Sequence, residues 1–125
     1  MLLDARSESA FREQLGELRR RRERYTPGRL PLDVAGRIAI VVDDGLATGA
    51  TMRAALHAVR ERQPAKLVCA VPVASSEALA LVRPQADEVV CLEVPPFFHA
   101  VGQFYRDFPQ VEDEAVIACL RGQPA

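Results

Sequence analysis

The sequence is poor in several residue types, and each shortage excludes a class of protein. Among its 125 residues there is no tryptophan, a single lysine (Lys66) and only two histidines. A formal net charge of −1 is not the excess of positive charge that broad binding to nucleic acid or acidic membranes requires. No apolar run approaches the roughly 20 residues that span a bilayer, and residues 1–12 lack the basic and apolar regions of a secretory signal. We therefore predict a cytoplasmic protein with no nucleic-acid or membrane partner.

Cysteine is also scarce. Cys69, Cys91 and Cys119 are odd in number and widely separated, so they fit neither a zinc-ligand pattern nor a disulfide framework. Free cysteine is among the most buried residue types. The expectation is three reduced thiols in the protein interior, as is usual in the cytoplasm.

What the sequence does contain is the composition of an ordinary globular protein. The hydrophobic fraction is 49% and the charged fraction is 26%, and a chain of this length typically forms one domain. We predict a single domain over residues 1–125. It divides into an N-terminal helical segment (1–28), a β-α-β-α-β core (36–93), and an aromatic loop with a C-terminal helix (94–125).

The periodicity of apolar residues predicts alternating helices and strands. The predicted elements are a helix over residues 7–25, a strand over 38–42, a helix over 50–62, a strand over 67–71, a short helix over 76–82 capped by Ser75 or Ser76, a strand over 88–92 and a helix over 112–120. This alternation is typical of right-handed crossovers in a parallel α/β sheet. The first strand, Ile38–Val42, is wholly apolar, which favours a strand covered on both faces. Pro72 is expected at the end of the second strand or at an edge.

Two acidic residues, Asp43 and Asp44, come directly after the first strand. In open parallel sheets, ligands bind beyond the carboxyl ends of strands. Two adjacent carboxylates repel each other unless a polar or cationic group meets them. Ribose hydroxyls, a bound Mg²⁺, or both would serve. The alternative is a helix cap next to a solvent-facing acid.

The next segment, Thr48-Gly49-Ala50-Thr51, opens the second helix. Free backbone N–H groups at a helix start attract anions. Gly49 has no side chain to keep a phosphate from the backbone, and the hydroxyls of Thr48 and Thr51 add donors. The chain has neither the Gly-Lys-Ser/Thr of a Walker A loop nor a Gly-x-Gly-x-x-Gly fingerprint. Capping uses the same residue types, so the segment alone is modest evidence.

The two features together are far more specific. The stretch Ile40–Thr51 resembles the phosphoribosyl pyrophosphate (PRPP) motif of type I phosphoribosyltransferases, in which an apolar strand is followed by two acids and a Thr-Gly-x-Thr loop. Gly45 is the one departure, since that motif prefers an aliphatic residue or serine there. The resemblance implies a partial type I phosphoribosyltransferase-like (Rossmann-like) fold.

The resemblance also implies a division of roles. Asp43 and Asp44 are the catalytic pair, and they hold the ribose 2′- and 3′-hydroxyls directly or through Mg²⁺. The 5′-phosphate of PRPP or of a nucleotide monophosphate is bound by Ala47, Thr48, Gly49, Ala50 and Thr51. The implied activity is transfer of a phosphoribosyl group to an acceptor, such as a nucleobase, with release of pyrophosphate.

Most aromatic residues lie in one segment, Val94–Gln110, which predicts either stacking on a planar base or ordinary cover for a sheet edge. The part from Phe98 to Phe108 is loosely similar to the base-covering hood of purine phosphoribosyltransferases, with a spacing one residue longer. That similarity implies base contacts from Phe98, Val101 and Asp107.

Almost everything after Arg19 is similar to a group of predicted phosphoribosyltransferases. Members of that group usually begin with a further segment that holds the first strands and an Arg-Gly-Gly loop for pyrophosphate. No such segment is recognisable here, and three strands would leave an unpaired edge. We therefore expect either a chain completed by another polypeptide or a homo-oligomer. Two alternatives to an active transferase stay open, namely a non-catalytic subunit that binds PRPP or a nucleotide, and an inert truncated product.

Overall fold

The computed structural model describes residues 5–25, 27–28 and 32–122, with side chains from residue 8 onward. The outermost residues of the predicted segments 1–28 and 94–125, and part of the loop before the first strand, lie outside the described residues. The elements are α1 Ala5–Tyr25, β1 Ile38–Val42, α2 Ala50–Arg60, β2 Lys66–Val73, α3 Ser76–Val82, β3 Glu88–Glu93 and α4 Asp113–Leu120, with 3-10 turns at Arg83–Gln85 and Val101–Phe104. The predicted order is confirmed, although α1 begins two residues earlier than expected.

The three strands form one parallel sheet in the order β1-β2-β3. Ile38 of β1 pairs with Lys66 of β2, and Val68 of β2 pairs with Glu88 of β3. Each connection crosses over through a helix, as parallel pairing requires. The predicted α/β class is confirmed, and the carboxyl ends of all three strands meet at one edge of the sheet.

The core lies between one face of the sheet and the helices α2 and α3. Every second strand residue points into it, and Leu56 of α2 and Val82 of α3 meet these side chains from the other side. Helix α1 packs on α2, and α4 packs on α1. The strand residues that share this face are Ala39, Val41, Leu67, Cys69, Val71, Val89 and Cys91.

On the opposite face, the described residues leave the two edge strands uncovered while Val68 of β2 is buried, and the prediction that β1 is covered on both faces is wrong. Ile38, Ile40 and Val42 are 66%, 62% and 70% exposed, and Leu92 of β3 is 75% exposed. The described helices all pack directly or indirectly on the other face. The sequence of an apolar strand indicates which side chains need to be buried. Whether they are buried depends on elements that are far from the strand in the polypeptide. We call this surface the bare sheet face; it comprises Ile38, Ile40, Val42, Val90 and Leu92.

Pro72 lies inside the central strand rather than at its end or at an edge. The β1–β2 register stops at Val42 and Ala70, whereas β2 runs on to Val73. Pro72 therefore follows the last residue of β2 that β1 pairs with, and its missing N–H breaks no bond to β1.

The cysteine prediction is confirmed for one residue of three. Cys69 is buried in the central strand, Cys91 is half-buried and Cys119 is exposed. Cys91 lies in an edge strand, where cover is incomplete. Cys119 lies in the last turn of α4, a helix that packs on α1.

None of the helices described is long and apolar enough to cross a bilayer.

Candidate functional site

The loop between β1 and α2 lies at the carboxyl edge of the sheet, and Asp43 and Asp44 are its first two residues. Neighbouring elements hold this loop by its backbone. The Asp43 N–H donates to the Ala70 carbonyl of β2 at 3.3 Å, and the Leu46 N–H donates to the Val73 carbonyl at 3.0 Å. Leu46 is also buried in the core. The acid pair therefore stands on a fixed segment.

Helix α3 supports the same loop from its capping residue. Ser75 is a buried N-cap whose Oγ accepts from the Ala78 N–H at 3.1 Å. The same hydroxyl donates to the Ala47 carbonyl at 2.7 Å. One serine thus caps α3 as predicted and also fixes the first residue of the predicted phosphate segment. Nothing in the local sequence indicates this second contact.

Gly49 is the N-cap of α2, with a left-handed φ of 81°. Non-glycine residues rarely adopt this conformation. There is also little room for a side chain, because a Cβ at this position would lie 3.2 Å from the Ala78 carbonyl oxygen. Gly49 provides no capping side chain, so the helix start depends on other donors and acceptors. Thr48 Oγ1 accepts from the Ala50 N–H at 3.3 Å.

Thr51 has a partner that sequence reasoning missed. Its hydroxyl donates to Gln14 Oε1 of α1 at 2.8 Å. Helix α1 is held beside this point by Phe11, whose ring lies under the guanidinium of Arg53 (4.9 Å) and edge-on to His57 (5.1 Å). The N-terminal helix therefore contacts a residue of the site, although none of its described residues lines the cavity.

The acid pair is asymmetric. Asp43 is half-buried and Asp44 is exposed, and the Asp44 N–H donates to Asp43 Oδ1 at 2.8 Å. Burial raises the pKa of Asp43 above its ordinary value, and the neighbouring Asp44 carboxylate adds to the rise. Asp44 N–H and the charge of Arg21 on α1 act in the opposite direction. A half-buried anion of this kind favours a ligand that supplies hydroxyl donors or a cation.

The raised pKa of Asp43 has a consequence for stability. A carboxyl whose folded-state pKa exceeds its unfolded value stabilises the protein below the unfolded pKa, and that contribution is lost as pH rises through the folded pKa. We therefore expect Asp43→Asn, which keeps the acceptor for the Asp44 N–H, to raise the free energy of unfolding at pH 7. The difference in free energy of unfolding between this variant and the wild type should become smaller as pH falls toward 4. Urea unfolding of both proteins between pH 4 and 7 measures this, and a constant difference across that range would contradict it.

Asp43 and four of the five predicted phosphate residues line one cavity of about 170 Å³, whereas Asp44 and Ala50 are not among its lining residues. Val101 of the aromatic loop lines it as well, so one of the three predicted base contacts lies beside the acid pair. Phe98 stacks on Phe104 at 5.0 Å, and Asp107 is exposed. Neither of these two is among the residues that line the cavity, and their base contacts stay predictions. The full lining is Asp43, Gly45, Leu46, Ala47, Thr48, Gly49, Thr51, Met52 and Val101.

Gly45, the departure from the motif, is explained by its surroundings. A Cβ there would lie 2.8 Å from Val101 Cγ1 and 3.0 Å from Val73 Cγ1. The larger residues that the motif prefers would displace Val101. The departure therefore matches a close approach of the aromatic loop.

The chemistry of the acid pair suits a hard cation that shares its ligands with a substrate. Mg²⁺ is commonly held by one or two carboxylates, with substrate oxygens and waters completing the shell. Within the described part of the chain, no group of three or more histidine, cysteine, aspartate or glutamate side chains is placed to hold a metal ion. A cation here would therefore depend on the ligand for part of its coordination.

Comparisons with known proteins agree with this geometry. A profile of the phosphoribosyl transferase domain matches residues 4–109. The chain is 49% identical over 119 residues to "Putative phosphoribosyl transferase Rv0571c" of Mycobacterium tuberculosis H37Rv and, equally, to MT0597 of strain CDC 1551. Those matches cover 94% of this chain and 27% of each relative. The chain thus spans only a minor part of the curated relatives.

A solved structure extends the match to three dimensions. The crystal structure of TT1426 from Thermus thermophilus superposes with a TM-score of 0.76 at 47% identity, covering 88% of this chain and 52% of that chain. The range matched by the family profile includes the three strands and the loop between β1 and α2. The chain belongs to the phosphoribosyl transferase domain family.

Proposed function

We propose that this chain binds the 5-phosphoribosyl group of PRPP or of a nucleotide 5′-phosphate, and that it takes part in phosphoribosyl transfer to an acceptor with release of pyrophosphate. The observation that carries the proposal is a single cavity with two different ends. One end is the start of α2 at Gly49, and the other is Asp43 at the end of β1, next to the exposed Asp44. A phosphate and a diol carried on one sugar suit these two ends.

The phosphate end depends on backbone rather than on cationic side chains. Gly49 lines the cavity at the first turn of α2, and the macrodipole of α2 favours an anion there. Thr48 adds a hydroxyl. The role of Ala47 is steric, because its carbonyl is held by Ser75 and its small side chain leaves the cavity open.

At the ribose end, Asp43 and Asp44 accept hydrogen bonds from the 2′- and 3′-hydroxyls. These bonds hold the sugar while the bond from C1′ to pyrophosphate breaks and a bond to the acceptor forms. Positive character develops on the sugar in such a transfer, and carboxylates that bind its hydroxyls would stabilise that charge. Asp43 and Asp44, together with ligand oxygens, would hold Mg²⁺, which would supply positive charge to stabilise the leaving pyrophosphate.

Calorimetric titration of the full chain tests the proposal. Ribose 5-phosphate, PRPP and AMP should each bind, and PRPP should bind more tightly with Mg²⁺ than without it. Pyrophosphate release from PRPP is then followed across a panel of bases. Binding of PRPP and AMP with no release under any condition would favour the non-catalytic subunit. If the folded chain bound none of the three ligands, the assignment of the cavity would be contradicted.

We further propose that a second copy of this chain covers the bare sheet face. Parallel sheets bury both faces, and an exposed apolar patch marks an interaction surface. The same patch on two copies is self-complementary about a two-fold axis. Lys66 and Glu88, at the starts of β2 and β3, pair with each other at 2.8 Å, and a net charge of −1 gives little repulsion between copies.

The association predicts the behaviour of one substitution. We expect the wild-type chain to sediment as a dimer at tens of micromolar, and Ile40→Glu to weaken association by more than tenfold, because burying one such side chain contributes roughly 1.5–3 kcal/mol. Val111→Glu is the matched control, since Val111 and Ile40 are both 62% exposed and Val111 lies outside the sheet. If the wild-type chain sedimented as a monomer, the second-copy proposal would be overturned, and a different polypeptide would be the remaining candidate to cover the bare sheet face.

A further inference from the structure

The aromatic loop has its own internal brace. Gln103 Oε1 accepts from the N–H groups of His99 and Ala100 at 2.8 and 3.1 Å. Its amide nitrogen donates to the Phe97 carbonyl at 3.1 Å. One side chain therefore satisfies three backbone groups of the segment. The loop can transmit a contact at one of its residues to the others because it is tied together in this way.

The first attachment of this loop to the site is steric. Val101 packs directly on Gly45, which is buried, and the 2.8 Å gap to an added Cβ leaves no space between them. Gly45 needs no unusual backbone here, because its φ lies outside the left-handed range. Glycine is therefore required at this position by its close contacts with Val101 and with Val73 of β2.

The second attachment is a hydrogen bond. Tyr105 Oη donates to the backbone carbonyl of Asp44, with an oxygen–oxygen distance of 2.5 Å. The phenol ring is supported by Phe108, whose ring centroid lies 5.2 Å away. Phe108 in turn packs against Gly102, where an added Cβ would meet its ring at 3.0 Å.

Both attachments act on the same peptide, the one that joins Asp44 to Gly45. On the other side, the segment is held by β2 through the Asp43 and Leu46 N–H groups. The backbone that carries the two carboxylates is therefore clamped between the sheet and the aromatic loop. The exposed Asp44 carboxylate depends on this clamp for its direction more than the half-buried Asp43 does.

We propose that Tyr105 and Val101 are positioning residues, which hold the Asp44–Gly45 peptide so that the acid pair meets the ribose hydroxyls of the bound ligand. This inference rests on the proposed function of the cavity. It assigns to the aromatic loop a role toward the sugar, carried by contacts 61 residues apart in the sequence, in addition to any contact with a base.

The test compares two ligands that differ only in the groups the clamp serves. AMP and 2′,3′-dideoxy-AMP share the phosphate and the base, and only AMP has the ribose diol. Tyr105→Phe removes the donated hydrogen bond and keeps the ring. We expect it to weaken AMP binding about three- to tenfold while changing the affinity for the dideoxy analogue less than twofold. Tyr25→Phe is the matched control, because Tyr25 Oη donates to Asp113 at 2.7 Å, away from the cavity.

Gly45→Ala provides an independent arm through the steric contact. It should lower the affinity for AMP more than the affinity for the dideoxy analogue. Val101→Ala in the same chain should restore much of the lost affinity, because it makes room for the added methyl group. If Tyr105→Phe lowered the affinity for both ligands equally, or changed neither affinity, the positioning role would be overturned. A wild-type chain that binds neither ligand would instead remove the proposed function, and this inference with it. Circular dichroism and melting of each variant confirm that it is folded.

Discussion

Gly49→Ala is expected to lower the free energy of unfolding by about 2–4 kcal/mol, from a strained backbone and a tight contact together. It should also abolish measurable binding of ribose 5-phosphate. The backbone contribution arises because the φ of 81° is unfavourable for alanine, and the contact arises because the new Cβ would press on the carbonyl of Ala78 in α3. Chemical denaturation and calorimetry measure the two effects separately.

Gly36 provides the control that separates these contributions. It also has a left-handed φ, 70°, but no atom of the described residues lies within 4 Å of an added Cβ. Gly36→Ala should therefore show only the backbone cost of roughly 1–2 kcal/mol and retain ligand binding. If the two variants lost equal stability, the close packing of α3 against the start of α2 would be refuted.

The second large effect is expected at the acid pair. In Asp43→Asn/Asp44→Asn, ribose 5-phosphate should bind at least a hundredfold more weakly, since hydrogen bonds to charged groups contribute about 1.5–3 kcal/mol each. Inorganic phosphate should bind equally well or slightly better, because two negative charges near the anion have been removed. Opposite responses of the two ligands, measured by calorimetry, are the signature of a diol site beside a phosphate site.

The charge-matched control is Glu23→Gln/Glu77→Gln, which removes two exposed carboxylates outside the cavity. It should leave both affinities within about twofold, as expected for screened surface charges. If the aspartate double variant kept its affinity for ribose 5-phosphate, the carboxylates would not contact the sugar. The dependence on Mg²⁺ should disappear in the same variant.

Local sequence signals were sufficient to predict the strands, the loop and the helix that follows it. Apolar runs such as Ile38–Val42 and the caps around Ser75 act over a few residues, so they can be read without the fold. The motif from Asp43 to Thr51 is contiguous for the same reason. The resemblance to a known motif then supplied roles that composition alone does not contain.

The contacts that sequence reasoning missed are those between distant residues. Gln14 meets Thr51 across 37 positions, and Tyr105 meets Asp44 across 61. Neither partner has a local pattern that distinguishes it from surface polar residues. The bare sheet face was not predicted either. An apolar strand indicates that both of its faces need packing partners, but its sequence cannot show whether those partners are present.

The bond between Thr51 and Gln14 links ligand occupancy to the N-terminal helix. A hydroxyl has one proton, so a phosphate that accepts it takes that donor away from Gln14. Binding at the cavity and docking of α1 on α2 then share a common free-energy term, and each changes the equilibrium constant of the other by the same factor. If phosphate binds at Thr51 as proposed, Gln14 of α1 therefore competes with the ligand for the Thr51 proton.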